Sequence, residues 1–269
     1  VTDQGQQPKP KIDTAVPHSA RIWNYWLGGK DNYPVDRAAG DQFLEIFPDI
    51  ASVARATRVF LGRAVRYLAG ESKVRQFLDI GTGLPTLDST HQVAQRVAPE
   101  CRVVYVDNDP LVLAHVRALL VGTAEGKTDY IDADLREPEE IFQPAARTLD
   151  FGAPVGLIMT GIMGHITDDE QAWAIVRLLL KGLSSGSYLV LSDGTNVIHG
   201  EVGEQAQQGY NEGGAAPYCL RSPERIVRFF DGLDLVEPGV VSCPRWRPEA
   251  SPFGPPAEVD AFCGVGRKP

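Results

Sequence analysis

The sequence has four cysteines in 269 residues (Cys101, Cys219, Cys243 and Cys263), with no CxxC pair and no metal-ligand spacing. That argues against a disulfide framework or a structural zinc site and leaves reduced thiols as the expected state. Basic residues are outnumbered, 26 Lys and Arg against 35 Asp and Glu, for a net charge of −9. This balance opposes a dedicated nucleic-acid or anionic-membrane binder. No apolar run approaches the roughly 20 residues of a membrane span. The polar start, VTDQGQQPKPKID, has no secretory signal pattern. No internal repeat or low-complexity period appears. These absences predict a cytoplasmic globular protein. What is present can build one: 43% hydrophobic and 23% charged residues are near the globular average. A chain this long buries roughly three quarters of its unfolded surface.

Residues 1–18 read as a flexible polar tail with Pro8 and Pro10. From Ser19 the chain turns aromatic and helical (ARIWNYWLGGKDNYPVD), with Ser19 as the expected cap, Gly28-Gly29 as the stop and Pro34 opening the next helix. A third helix carries Ile50, Val53, Thr57, Phe60, Leu61, Ala64, Val65 and Leu68 on one face. Arg55, Arg58 and Arg66 fall opposite, with Arg63 near the edge, and read as a solvated face.

After Gly70 the texture changes to alternating strands and helices. Strands are expected over 74–80, 101–107, 128–131, 154–160 and 186–194. Helices are expected over 86–97, from Pro110 (capped by Asp109) through LVLAHVRALLVG, over 168–183 behind a Thr167/Glu170 capping box, and from Ser222-Pro223. An irregular stretch of about 25 residues follows the fifth strand, and two more strands near 234–241 and 258–266 close the chain. Strand–helix alternation predicts an α/β fold with a mostly parallel sheet. The final strands lack a long crossover helix, which suits an antiparallel edge. Residues 19–70 are expected to form a helical cap on the 71–269 unit, the two making one globular body.

In an open α/β sheet, ligands bind beyond the carboxyl ends of the strands. The first strand closes with Asp79-Ile80-Gly81-Thr82-Gly83, where glycines permit a tight turn and close approach of a ligand. A dinucleotide turn would want a third small residue at 86; Pro85 and Thr86 stand there instead, against a nicotinamide or flavin reading. Asp107, closing the second strand with Asn108 beside it, can accept two hydrogen bonds from a ribose diol. Asp132 and Asp134 close the third; one carboxylate there can receive an adenine amine.

Asp79, Gly81, Gly83, Asp107 and Asp134, in that order, resemble the class I S-adenosylmethionine-dependent methyltransferases. The DIGTG loop matches the glycine motif of that family, Asp107 its ribose acid, and Asp132-Ala-Asp134-Leu135 its adenine motif. More narrowly, SARIWNYWLGGKDNYPVDRAAGD, RVVYVDNDP and APYCLRSPERIVRFFDGLDLVEPG resemble the bacterial S-adenosyl methyltransferases once called DUF574 over nearly the whole chain. The resemblance implies a Rossmann-like, seven-stranded, mostly parallel sheet whose last strand is antiparallel, with S-adenosylmethionine as cofactor. It implies no acceptor.

The fourth strand ends Thr160-Gly161-Ile162-Met163-Gly164-His165. It lacks the Asn/Asp-Pro-Pro-Tyr of amine methyltransferases. Thr160, a candidate cofactor contact, replaces the carboxylate of metal-dependent catechol-type enzymes, so no metal is expected. His165 is either a general base or a loop histidine making structural hydrogen bonds. His91 and His115 read as packing or surface residues, and His18 and His199 lie beside possible site walls. The aromatic segment Trp23, Tyr25 and Trp26, with Arg21 and Asn32, either closes over the methionine end or packs as part of the helical cap. Tyr210, Tyr218 and Arg221 are candidates for the acceptor side. The expected activity is methyl transfer to a small molecule; the alternatives are a non-catalytic S-adenosylmethionine-binding module and a nicotinamide oxidoreductase.

Overall fold

The computed structural model describes residues 13–84, 88–112, 122–252 and 254–269. Three helices lead: α1 (Ser19–Trp26), α2 (Pro34–Ile46) and α3 (Ile50–Gly70). An alternating series follows: β1 (Gln76–Ile80), α4 (Thr90–Val97), β2 (Arg102–Asp107), β3 (Lys127–Asp132), α5 (Glu139–Ala145), β4 (Gly156–Thr160), α6 (Asp169–Lys181) and β5 (Tyr188–Gly194). Then come α7 (Glu201–Glu212), α8 (Pro223–Val227), β6 (Asp234–Leu235), β7 (Val241–Ser242) and β8 (Ala261–Arg267). Residues 110–112 are helical; the remainder of the helix expected there, with His115, lies outside the described residues, as do Pro85 and Thr86.

Among the described residues the sheet has eight strands in the order β3-β2-β1-β4-β5-β8-β6, with β7 also on β8. Strands β1 to β5 pair in parallel, whereas β8 runs antiparallel to β5, β6 and β7. Eight strands replace the expected seven because the segment near 234–241 splits in two. Pro238 has no N–H for a ladder and Gly239 takes φ +85°, so neither continues a strand.

Alternation along the strands divides the core into two layers. Phe77, Val103, Tyr105, Ile158 and Val190 face α1–α4. Leu78, Ile80, Val104, Val106, Leu157, Met159, Leu189 and Leu191 face α5, α6 and the 226–230 turn. Burial on both faces explains why these strands are nearly continuous apolar runs.

Local capping departs from expectation at two places. His18, not Ser19, caps α1, its Nδ1 accepting the Ala20 N–H at 3.3 Å. Asp168, not Thr167, caps α6, accepting the Gln171 N–H at 2.8 Å; a carboxylate is the better partner for a helix N-terminus. Two helices were not anticipated. The short α5 contains Pro144. Helix α7 occupies half of the stretch expected to be irregular; its Gly203 and Gly209 each cost about 1 kcal/mol of helix propensity. Packing against α2, with Ala206 buried, holds it.

Candidate active site

The strand order reverses between β1 and β4, and a cavity of about 270 Å³ opens at the carboxyl ends there. Each tip sends residues to its wall: Ile80, Gly81 and Gly83 from β1, Asp107 and Asn108 from β2, Asp134 and Leu135 from β3, Thr160 and His165 from β4, and Ser192, Asp193 and Gly194 from β5. Helix α1 closes one side with Trp23, Asn24 and Trp26, and α7 another with Gln207 and Tyr210.

Gly81 and Gly83 take φ of +72° and +63°, the left-handed region that favours glycine. The turn so formed points the Gly83 N–H at Asp107 Oδ2, 2.8 Å away, while Asp107 Oδ1 accepts the Asp109 N–H at 3.0 Å. Burial pushes the Asp107 carboxyl up, and these two backbone donors pull it back. Each oxygen keeps a lone pair for a ligand hydroxyl. Asp134 sits at the rim, ion-paired to Arg136 at 3.0 Å and hydrogen-bonded by Asn108 Nδ2 at 3.1 Å. Leu135 is a buried apolar surface beside it.

Asp79 is different. It does not line the cavity but lies buried beneath the turn, accepting a 2.6 Å hydrogen bond from Thr90 Oγ1. Desolvation raises its pKa from 3.8 to about 6. A carboxyl raised in the fold contributes stability that is complete below its unfolded pKa and lost as pH climbs through the folded value. Asp79→Asn should therefore remove about 3 kcal/mol of pH dependence between pH 4 and 7 in urea denaturation of the ligand-free protein. Parallel pH curves for the two proteins would show that folding leaves the Asp79 pKa unshifted.

His165 Nδ1 stands 2.9 Å from the Pro217 carbonyl. A carbonyl only accepts, so Nδ1 carries the proton and Nε2 is a bare acceptor. Burial lowers the ring's pKa from 6.5, keeping it neutral at pH 7. Its ring packs edge-on to Tyr218, whose hydroxyl donates to Asp193 Oδ1. Burial, reinforced by Asp193, pushes the Tyr218 phenol well up, so it stays protonated.

Four residues expected on the pocket side do not line the cavity. Arg21 is buried in an ion pair with Asp36 at 3.0 Å. Tyr25 donates to Asp41 at 2.6 Å, and Asn32 brackets the loop after α1 through Asn24 and the Gly29 carbonyl. Arg221 lies fully buried between Asp169 and Asp193. Tyr210 and Tyr218 do line the cavity, as do Trp23 and Trp26. His18 reaches the wall too, its Nδ1 3.0 Å from Asp109 Oδ2. His199 stands off it, bridging Asp260 at 2.6 Å and Asp49 at 3.4 Å. His91 is a packing residue against Tyr105.

Asp193 and Arg58 are among the wall residues that escaped the sequence reading. Asp193 closes β5, and the strand-tip rule already applied to β1–β4 would have found it. Arg58 was assigned to the solvated face of α3. At 100° per residue it falls roughly 20° beyond Val65, at the border of the buried arc, where the helix edge meets the cleft.

Among the described residues, no group of three or more His, Cys, Asp or Glu is placed to hold a metal ion, and no helix is long and apolar enough to cross a membrane.

A family model described as S-adenosyl methyltransferase matches residues 5–269. The chain is similar to a DUF574 family protein from Streptomyces avermitilis MA-4680, with 43% identity and TM-score 0.92, over 96% of this chain and 100% of that one. It is similar also to a Thermobifida fusca YX protein carrying a methyltransferase designation, with 37% identity and TM-score 0.87, over 97% and 98% of the two chains. A S-adenosylmethionine-dependent methyltransferase from Anabaena variabilis ATCC 29413 shares the fold at 16% identity and TM-score 0.52, over 97% and 100%. No curated relative matches the chain.

Proposed function

Because the chain belongs to the S-adenosyl methyltransferase family, we propose that it carries the methyl group of S-adenosylmethionine to a small-molecule acceptor by in-line displacement, without a metal. The observation that carries this reading is the convergence of Asp107, Asp134, the Gly81–Gly83 turn, Thr160 and His165 on one cavity walled by α1 and α7. The residues present fit the cofactor. Asp107 offers the ribose two acceptor oxygens, and Asp134 with Leu135 offers adenine a carboxylate and an apolar face. Gly83 leaves the turn open to close approach, with no atom within 4 Å of a Cβ built on it.

When bound, the cofactor's sulfonium supplies an electrophilic methyl group. The protein's work is then to hold an acceptor in line and to exclude water. Trp23, Trp26, Phe47 and Tyr210 give the cavity aromatic walls, suited to a small molecule with an apolar body. His165, neutral and with Nε2 unprotonated, takes the proton of an acceptor hydroxyl or amine. Thr160 at the β4 tip offers no carboxylate for a divalent cation, which supports a metal-independent reaction.

Transfer of labelled methyl from S-adenosylmethionine into a fractionated metabolite extract tests the proposal, with one small product expected. Intact cofactor binding without transfer to any fraction would favour a binding module. Asp107→Ala should weaken S-adenosylhomocysteine by about 2–3 kcal/mol in calorimetry, the scale of hydrogen bonds to a charged group. Asp107→Asn, keeping one acceptor oxygen, should fall between. Normal binding by a folded Ala variant would make Asp107 structural only.

A further inference from the structure

Arg55 and Arg66 of α3 are exposed as expected, but Arg58 is partly buried and faces the cavity. Its Nε is sealed from solvent without a hydrogen-bond partner, and among the described residues none forms a hydrogen bond or ion pair with the guanidinium. Asp79 reaches it only through space, and Thr90 already holds that carboxyl. A guanidinium remains charged in proteins. Leaving one bare in a cavity wall is costly unless a ligand completes it. Its planar fork of donors matches a carboxylate better than any other small anion except phosphate.

The sheet order says which ligand atoms come near. Asp134, Asp107 and the Gly81–Gly83 turn follow the tips of β3, β2 and β1, which are neighbours. A nucleoside laid along Asp134 and Asp107 directs its 5′ substituent over β1. Helix α3 packs against β4 and β5, next to β1 on the side away from β2, and the charge of Arg58 is felt by Asp79 of β1 and Tyr105 of β2. The 5′ substituent of S-adenosylmethionine ends in an amino acid. We infer that Arg58 is the carboxylate-binding residue of this cavity and that it takes the α-carboxylate at the amino-acid end of the cofactor. The inference rests on the cofactor assignment above and adds the residue that reads its charged end.

Calorimetry with two ligands tests it. S-adenosylhomocysteine carries the carboxylate; 5′-deoxy-5′-methylthioadenosine keeps the nucleoside and sulfur but lacks it. Arg58→Met should weaken the first about 10- to 100-fold and leave the second within about twofold, while Arg58→Lys recovers part of the loss. Near-UV circular dichroism establishes that both variants are folded. Equal loss of both ligands in a folded Met variant would make Arg58 a scaffold residue and overturn the inference. Unchanged S-adenosylhomocysteine binding would also overturn it, and is the result expected if the carboxylate belongs to the acceptor. Failure of the unsubstituted protein to bind either ligand would instead remove the cofactor assignment, and the inference with it, before any substitution is made.

Discussion

Arg221→Met should cost about 3–5 kcal/mol of stability in chemical denaturation, the penalty for stripping a buried charge of its partner. The Arg221 side chain is fully buried. Its Nε bonds Asp169 at 3.0 Å, and its Nη1 bonds Asp193 Oδ2 and the Met163 carbonyl at 2.9 Å each, while Nη2 reaches the Ile166 carbonyl. One guanidinium therefore joins the β4 loop, the start of α6 and the tip of β5. Burial already raises the Asp193 carboxyl, and Arg221 is the chief group holding it down. Without Arg221 that carboxyl must protonate, so the variant should lose least at acidic pH and most above it. Arg221→Met with Asp193→Asn should lose less than Arg221→Met alone. A single variant as stable as the unsubstituted protein at pH 7 would show that the network carries no net energy.

Once an acceptor is known, His165→Gln should lower kcat by about 10²- to 10⁴-fold, the usual contribution of a positioned base. The unsubstituted enzyme should lose kcat/KM on the acid side as Nε2 takes a proton. Burial places that limb below the ordinary imidazole value of 6.5. The variant should lack the limb. An unchanged rate and profile would confine His165 to its hydrogen bond with Pro217, leaving proximity alone to drive transfer.

The central sheet was legible because both its faces are covered, so β1, β2, β4 and β5 are apolar runs ending at polar tips. The tips of β2 and β4, with that of the more polar β3, put Asp107, Asp134, Thr160 and His165 on the cavity. What failed was direction. A sequence shows that Arg58, Arg221, Arg21 and Tyr25 are polar, but not which neighbour a long side chain meets. Arg58 turned inward because it borders the apolar arc, and Arg221 because two carboxylates, the buried Asp193 and the half-buried Asp169, 28 and 52 residues away in sequence, close around it. Helix α7 was hidden for a related reason. Its two internal glycines and polar composition argue against a helix until the face of α2 is present to pack on it. The split of β6 from β7 was there to read in Pro238-Gly239, but both flanking segments have strand composition.

Gly81 does more than free the first turn. A Cβ placed on it would lie 2.5 Å from Ile162 Cγ1, so the loop after β1 and the loop after β4 are already in contact. Each limits what the other can become. A bulkier residue at either position would push the cofactor turn and the candidate base apart together, altering both halves of the reaction at once. Change that is to alter the acceptor while sparing the methyl donor has to come from elsewhere. The walls contributed by α1 and α7 are free of this contact, and they are where descendants of this sequence have room to acquire new substrates.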